Sequence, residues 1–440
     1  MALVRTSNLT RVLLAAIVIV YVAIGALYAA LTPAWQVPDE PAHYNYVESL
    51  AEGEGFPVLE PSDYDQELLG ELTSRGFPPE LSTEPLEYED HQPPLYYLLA
   101  TPVFLLFDGM LLPIRLVSVL LGAALLLVAF GVVRAVFPSE PAVALAATAF
   151  IAFLPQHVAM TAGVNNDVLG ELVVAGALLL LVRYVSGGGD RPWVGGLVLG
   201  LGLLTKTTAY ISLGTAAVSI AIRWRRERHD WRWAASQAVW MLIPALLLSA
   251  AWFARNGLTY GWPDLLGLGR HADVVAGQPR TSEWLAEFGW LGLVERLVQT
   301  TFRSFWGQFG WMGVPLPTRL YQLLTLLDLG VLGGFVWWLL DRRRPRLTAS
   351  QRAAVALLVV SCTFTVLAFL WYNLTFVQHQ GRYLFPALIP IGSAVALGLT
   401  MLASVLPRRV RGWSVGAVFV AMALLDVYVL LRVIVPALES

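Results

Sequence analysis

Long apolar runs, broken by short basic clusters or polar turns, alternate along most of this 440-residue chain. Runs of about 17–25 apolar residues are long enough to cross a bilayer as helices. Such runs predict spans near 12–32, 111–133, 142–160, 168–184, 193–205, 208–223, 234–253, 318–340, 353–371, 384–406 and 413–436. The 193–205 run is short and predicts a half-helix that breaks at Lys206. The expected fold class is therefore an all-α polytopic membrane protein, with about eleven transmembrane helices and extracytoplasmic juxtamembrane helices. Its expected organisation is a transmembrane module over 1–253 with an acidic loop at 33–110, a second long loop at 254–317, and C-terminal helices over 318–440.

Composition supports this class. The chain is 57% hydrophobic and 14% charged, against about 25% charged for soluble domains. A formal charge of −2 offers no basic stripe for nucleic acid. The single Cys362, set in an apolar run, excludes disulfides within the chain and reads as a small buried hydrophobe.

All but one of the 29 basic residues are Arg, the exception being Lys206. Arg clusters at one set of connections: Arg5 and Arg11, Arg134, Arg183 and Arg191, RWRRERHDWR (223–232), DRRRPR (341–346) and PRRVRG (407–412). The positive-inside rule makes these cytoplasmic. The expected localisation is thus the cell (plasma or inner) membrane, multi-pass, with a cytoplasmic N-terminus and both long loops extracytoplasmic. The apolar stretch within 1–31 is longer than the roughly 7–15 residues of a signal-peptide core and lacks a clear cleavage site, so a retained first helix is expected.

Polar chemistry falls on the expected outer face. Asp39-Glu40 in VPDEPAHYNY follows the first span, with Pro41 suited to a helix start, Glu40 to its N-cap and Gly53 to its end. Adjacent side chains diverge, so the two acids do not form a glycosidase-like acid and base pair. Glu40 and His43 stand three apart with His91 in the same loop, which fits either metal ligation or metal-free hydrogen bonding. EDHQPPLYYLLATPVFLLF (89–107) predicts an interfacial or re-entrant helix, being too short to span. Asn165, Asn166 and Asp167 follow the third span and read as a helix cap or as a polar surface group. Lys206 interrupts an apolar stretch, where a cation either snorkels to the interface or serves a function. Arg255 and Arg382 sit at similar helix ends, and three cations around one cavity suit a phosphate leaving group. RSFWGQFGWMGVPLP (303–317) reads as an interfacial aromatic belt or the lining of a lipid or sugar site.

Taken in order, PDEPAHY, HQPPLYYLL, VNNDVLGE, LGLLTKTTAY and RYLFPALIP resemble the GT-C superfamily of membrane glycosyltransferases. The branch they most resemble holds the protein O-mannosyltransferases and aminoarabinose transferases, which use polyprenyl-phosphate-linked sugars. The resemblance implies an extracytoplasmic active site in which Asp39 is the general base, with Glu40 beside it as the second candidate catalytic acid and orienter. It implies inverting transfer of a hexose or pentose, with Lys206 on the donor phosphate and Arg255 and Arg382 as further phosphate ligands. His43, His91, Asn166, Asp167 and Tyr383 complete the expected site, and a divalent metal ion is the one candidate cofactor. The partners implied are the polyprenyl-phosphate sugar, membrane lipids and an acceptor that is a protein, a lipid or a glycan. No soluble domain is expected after the last helix, where many members of the resembled family carry one for acceptor recognition, which leaves the acceptor class open.

Two other functions compete. A transporter of polyprenyl-linked glycans predicts internal repeats and charges at the membrane midplane, and neither is apparent. A catalytically silent assembly subunit predicts a degenerate site.

Overall fold

The structure, a computed structural model, describes residues 7–188, 191–343 and 345–439. Arg5 and Arg344, both used in the orientation argument, lie outside the described residues.

Helices dominate. In chain order they are α1 (Asn8–Leu31), α2 (Glu40–Glu52), α3 (Gln66–Ser74), α4 (Leu95–Leu106), α5 (Leu111–Val136), α6 (Pro141–Ala152), α7 (Pro155–Thr161), α8 (Asp167–Val185) and α9 (Pro192–Leu203). There follow α10 (Ile211–Glu227), α11 (Trp231–Thr259), α12 (Leu268–Val274), α13 (Thr281–Trp306), α14 (Thr318–Leu340), α15 (Ala349–Tyr372), α16 (Leu388–Ala403), α17 (Arg408–Val429) and α18 (Val435–Leu438). A two-residue hairpin, β1 (Gln308–Phe309) with β2 (Val314–Pro315), is antiparallel.

Every expected span contains helix, but the count of eleven is not confirmed. Among the described residues eight helices are long and apolar enough to cross a membrane, or nine with the α6–α7 pair taken as one bent span. The 64° bend between α6 and α7 has a local cause. Pro155 has no N–H to continue the helix, and it drives Leu154 before it into an extended conformation. The α9 and α10 helices have only 12 and 17 residues. Between them Lys206 is extended, as the half-helix reading expects, and a 3-10 turn spans Thr207–Tyr210. The broken backbone is satisfied inside the protein: the Leu204 carbonyl accepts from Leu95 N, and the Leu203 carbonyl accepts from the Tyr210 hydroxyl.

Small residues let the helices approach closely. A Cβ on Gly196 of α9 would stand 2.3 Å from the Met241 carbonyl oxygen of α11. Most buried hydrophobic residues form one core, while two smaller clusters pack the 33–110 segment onto one end of the bundle.

Neither long loop is a loop throughout. The 33–110 segment contains α2, α3 and α4, and the 254–317 segment contains α12 and the 26-residue α13. The start of α2 also differs by one residue from expectation. Asp39 is the N-cap, in the left-handed region at φ 67°, and Glu40 is the first helical residue. Pro41 then holds the second position, where its missing N–H is still one of the free first-turn donors. Gly53 ends the helix at φ 83°, as expected.

Candidate active site

Asp39 is held in its left-handed turn by what surrounds it. A Cβ on Gly163, in the turn after α7, would meet Val37 Cγ1 at 2.6 Å, so only glycine lets that turn close on the Asp39 segment. Five of the seven non-glycine residues with positive φ among the described residues are Trp35, Asp39, Phe77, Trp311 and Met312. Trp311 Nε1 donates to the Trp35 carbonyl at 2.9 Å and its ring stacks on Phe77. Strained residues cost about 1–3 kcal/mol each and gather where surrounding structure over-determines them.

The two oxygens of Asp39 face different partners. Oδ1 accepts from the Tyr88 hydroxyl at 3.0 Å, and Oδ2 accepts from Arg382 Nη2 at 2.6 Å. Burial alone would raise this carboxyl. The Arg382 guanidinium, with His43 and Lys206 beyond it, outweighs burial and holds Asp39 below the ordinary aspartate value. Burial pushes the Tyr88 phenol well up, so it stays protonated and donates.

Arg382 is delivered by a 3-10 turn, Gly381–Ala387, that leads into α16. Gly381 is pressed against α13, where a Cβ would lie 2.4 Å from Phe305 N, and its own N–H donates to Ser304 Oγ at 2.7 Å. The Arg382 Nε is buried without a hydrogen-bond partner. The guanidinium lies 5.4 Å from the Tyr383 ring centre, and the Tyr383 hydroxyl reaches Gln378.

A second acid–cation pair stands alongside. Lys206 Nζ is 2.7 Å from Asp167 Oδ1. Lys206 acts electrostatically on Asp39, and Asp167 interacts in the same way with Arg382, so the two pairs form one charge cluster. Asn165 shapes the turn that presents Asp167, its Oδ1 accepting from Asp167 N and its Nδ2 donating to the Met160 carbonyl. Asn166 is fully buried; its Nδ2 faces Gln92 Oε1, the Tyr97 hydroxyl and the Thr205 carbonyl at 3.3–3.4 Å, and its Oδ1 has no partner.

His43 Nδ1 is 2.8 Å from the Tyr97 hydroxyl, and burial lowers its pKa despite the pull of Glu89 the other way. Glu89 is raised by burial, with His43 opposing and Asp39 adding to the rise, and its Oε2 has no partner. His91 faces His271 of α12, ring centres 4.5 Å apart, and its Nδ1 lies 3.2 Å from the Tyr88 carbonyl.

Glu40 lies elsewhere. It is fully buried and grips Arg115 of α5 through both oxygens, at 2.7 and 2.6 Å. It also accepts from Trp35 N and Val164 N, while Arg115 donates to the Ala29, Thr32 and Pro33 carbonyls. That pair fastens the end of α1, the start of α5 and the Asp39 segment together, and leaves Glu40 no free oxygen toward the open acids. Arg255 is also placed apart: it donates to the Phe56 and Pro57 carbonyls and packs on Trp252 and Tyr260. It therefore pins the 56–57 segment rather than joining Lys206 and Arg382.

Glu40, His43 and His91, which fitted either metal ligation or metal-free hydrogen bonding, are not brought together around one point. Among the described residues the group whose carboxylate or imidazole atoms converge closely enough for one ion is Asp63, Glu87 and Asp90. Tyr88, Glu89, Tyr97, Arg115 and His271 are site or support residues that the sequence reasoning missed. Arg115 had a signal, a lone cation in the apolar run LLPIRLVSVLL.

Comparison with known proteins gives two kinds of match. The model of the dolichyl-phosphate-mannose-protein mannosyltransferase family matches residues 91–252, a stretch that includes Asp167 and Lys206 but neither Asp39 nor Arg382. No curated protein matches by sequence search. Among solved structures, the apo oligosaccharyltransferase of Archaeoglobus fulgidus superposes with a TM-score of 0.52 at 14% identity, over 97% of this chain and 55% of that one. This chain therefore spans about half the length of that relative. ArnT from Cupriavidus metallidurans bound to undecaprenyl phosphate gives 0.52 at 13% identity, over 98% and 74%. Its apo state gives 0.54 at 12% identity, over 96% and 73%.

Proposed function

From a multi-pass membrane chain with the GT-C fold, we propose a glycosyltransferase that moves a sugar from a polyprenyl-phosphate-linked donor to an acceptor hydroxyl. The observation that carries this reading is the charge cluster. Four segments distant in sequence bring Asp39 against Arg382 and Asp167 against Lys206 in one electrostatic neighbourhood. The undecaprenyl phosphate in the similarly folded ArnT supports a lipid phosphate as the donor's anionic part.

In this reading the donor phosphate takes over Arg382 and Lys206 from their carboxylates. Asp39, freed of its cation, becomes a stronger base as the phosphate binds. It takes the proton of the acceptor hydroxyl while the acceptor oxygen attacks the anomeric carbon. The bond from that carbon to the phosphate oxygen breaks with inversion, and its electron pair stays on the phosphate, stabilised by the two cations. Tyr88 keeps the carboxylate oriented. The reaction takes place on the extracytoplasmic face, with the N-terminus cytoplasmic. Reporter fusions after Arg225 and Asp90 test this, and a cytoplasmic signal from the second overturns it.

A positioned base contributes about 10²–10⁴-fold in rate. Asp39→Asn in purified protein, assayed with a radiolabelled polyprenyl-phosphate sugar, should lose transfer to that extent while donor binding persists. Transfer at the wild-type rate sinks the assignment.

A further inference from the structure

We propose that Asp63, Glu87 and Asp90 bind a hard divalent cation of the Ca²⁺ class, which clamps the 56–63 segment to the turn that carries Glu89 and His91. The three residues come from two stretches, PSDYD and LEYEDH, joined by backbone. Glu87 N donates to the Asp63 carbonyl at 3.0 Å, and Asp90 N donates to the Glu87 carbonyl at 3.0 Å. One oxygen from each carboxylate then lies within 4.8 Å of the other two.

Asp90 supplies the separate observation. It is 3% exposed, and among the described residues its carboxylate makes no hydrogen bond or ion pair. An unpaired buried carboxylate is costly, and this one is aimed at two more acids. Asp63 has partners for both oxygens, Glu60 N on Oδ2 and Ser62 Oγ on Oδ1, but each keeps a lone pair for an ion.

The surrounding charge is unbalanced toward the acids. Glu54 and Glu60 act on Glu87, while Arg255 and Arg270 act at a distance on Asp90 and Asp63. Both arginines are engaged with backbone carbonyls, Arg255 with Phe56 and Pro57 and Arg270 with Leu59. All three donors are carboxylate oxygens, which select hard cations over zinc or copper. Oxygens up to 4.8 Å apart suit Ca²⁺, whose ligands stand at about 2.3–2.6 Å, better than the tighter octahedron of Mg²⁺.

The consequence reaches the charge cluster through one residue. Glu89, between Glu87 and Asp90, interacts electrostatically with Asp39 and His43. A cation behind that turn stiffens the mounting of Glu89 and His91. This holds whether or not the chain transfers sugars.

The test uses full-length protein in detergent, stripped with a chelator and titrated with CaCl₂, MgCl₂ or MnCl₂. Thermal unfolding and equilibrium binding of radioactive calcium are both read. Ca²⁺ should raise Tm saturably, with one ion per chain and half-saturation at about 10⁻⁴–10⁻³ M, as in extracellular modules. Asp90→Asn removes the unpaired charge, so without added cation it should unfold no lower than wild type and should bind no calcium. Glu87→Gln, at a more exposed position, should weaken binding at least tenfold and guards against a folding defect in the first variant. Absence of binding for all three ions, or wild-type binding in both variants, overturns the proposal.

Discussion

Arg382 donates to Asp39 across 343 positions of sequence, at 2.6 Å, and this contact sets the proton affinity of the proposed base. With the guanidinium present, Asp39 is held below its ordinary pKa against the opposing effect of burial. In Arg382→Gln, burial is left less opposed and the carboxyl rises. The acid limb of the pH profile of kcat/KM should therefore move to higher pH, since a higher pKa requires a higher pH for the base to ionise. Loss of the charge on the leaving phosphate should also lower kcat about 10²–10³-fold. Arg382→Lys should give a smaller shift of the limb. An acid limb that stays in place in both variants means another group is the base.

Gly381 makes that contact geometrically available. A Cβ there would meet three backbone atoms at 2.4–2.5 Å, namely Phe305 N, Phe305 Cα and Thr301 O, none of which can swing aside like a side chain. Gly381→Ala should destabilise the protein by about 1–3 kcal/mol, as overpacking does, and lower transfer with it. Gly330 lies within α14 with nothing inside 4 Å of its would-be Cβ. Gly330→Ala should be neutral or stabilising by up to about 1 kcal/mol. Thermal unfolding of the two variants side by side tests the contrast; equal effects would show that the close approach is not what matters at 381.

The fold and much of the candidate site were legible because the membrane makes polar residues conspicuous. Asp39, Asp167, Lys206 and Arg382 stood out at the ends of apolar runs, and the break at Lys206 followed from the shortness of the 193–205 run. Arg115 carried the same signal inside α5 and was overlooked. The segments between the expected spans were read worse. In 254–317 the apolar face of α13 is interrupted at Gly289, which takes φ 66° inside the helix, so no clean period marks it. Tyr88, Glu89 and His271 owe their places to loop paths fixed by contacts over long sequence distances, which local pattern does not encode. The Asp39 cap was misplaced by one residue because its left-handed turn depends on the packing of Val37 on Gly163 rather than on propensity.

His91 and His271 predict a specific pH response. Burial lowers His91 to about 4, and burial followed by the neighbouring His91 lowers His271 to about 3. Both lie below the ordinary histidine value, so the unfolded chain binds more protons than the folded one as pH falls through 6.5 toward 4. Stability contributed by these neutral rings is therefore lost on acidification through that window. Glu89 and Asp90 are raised and act in the opposite sense, so the histidine effect is read as a difference. In His271→Asn the Tm should fall less between pH 7 and pH 5 than in wild type. Parallel Tm curves would mean that the pair does not respond to pH in this way.

Glu40 and Arg115 test whether the second acid of the Asp-Glu pair acts in chemistry or in architecture. The pair is bidentate and almost wholly buried, and the remaining hydrogen-bonding capacity of both side chains goes to the backbone of 29–35 and 164. Removing one partner strands the other charge, at a cost of about 3–5 kcal/mol for a buried pair. Glu40→Gln and Arg115→Met should each lower Tm and yield steeply. The double variant should be less damaging than the sum of the two, because no uncompensated charge remains. Whatever Glu40→Gln protein folds should keep kcat within a few-fold of wild type once corrected for the folded fraction. A Glu40→Gln enzyme with wild-type Tm and no turnover would instead put Glu40 in the reaction beside Asp39, and the ion pair would then be the resting state of a catalytic acid.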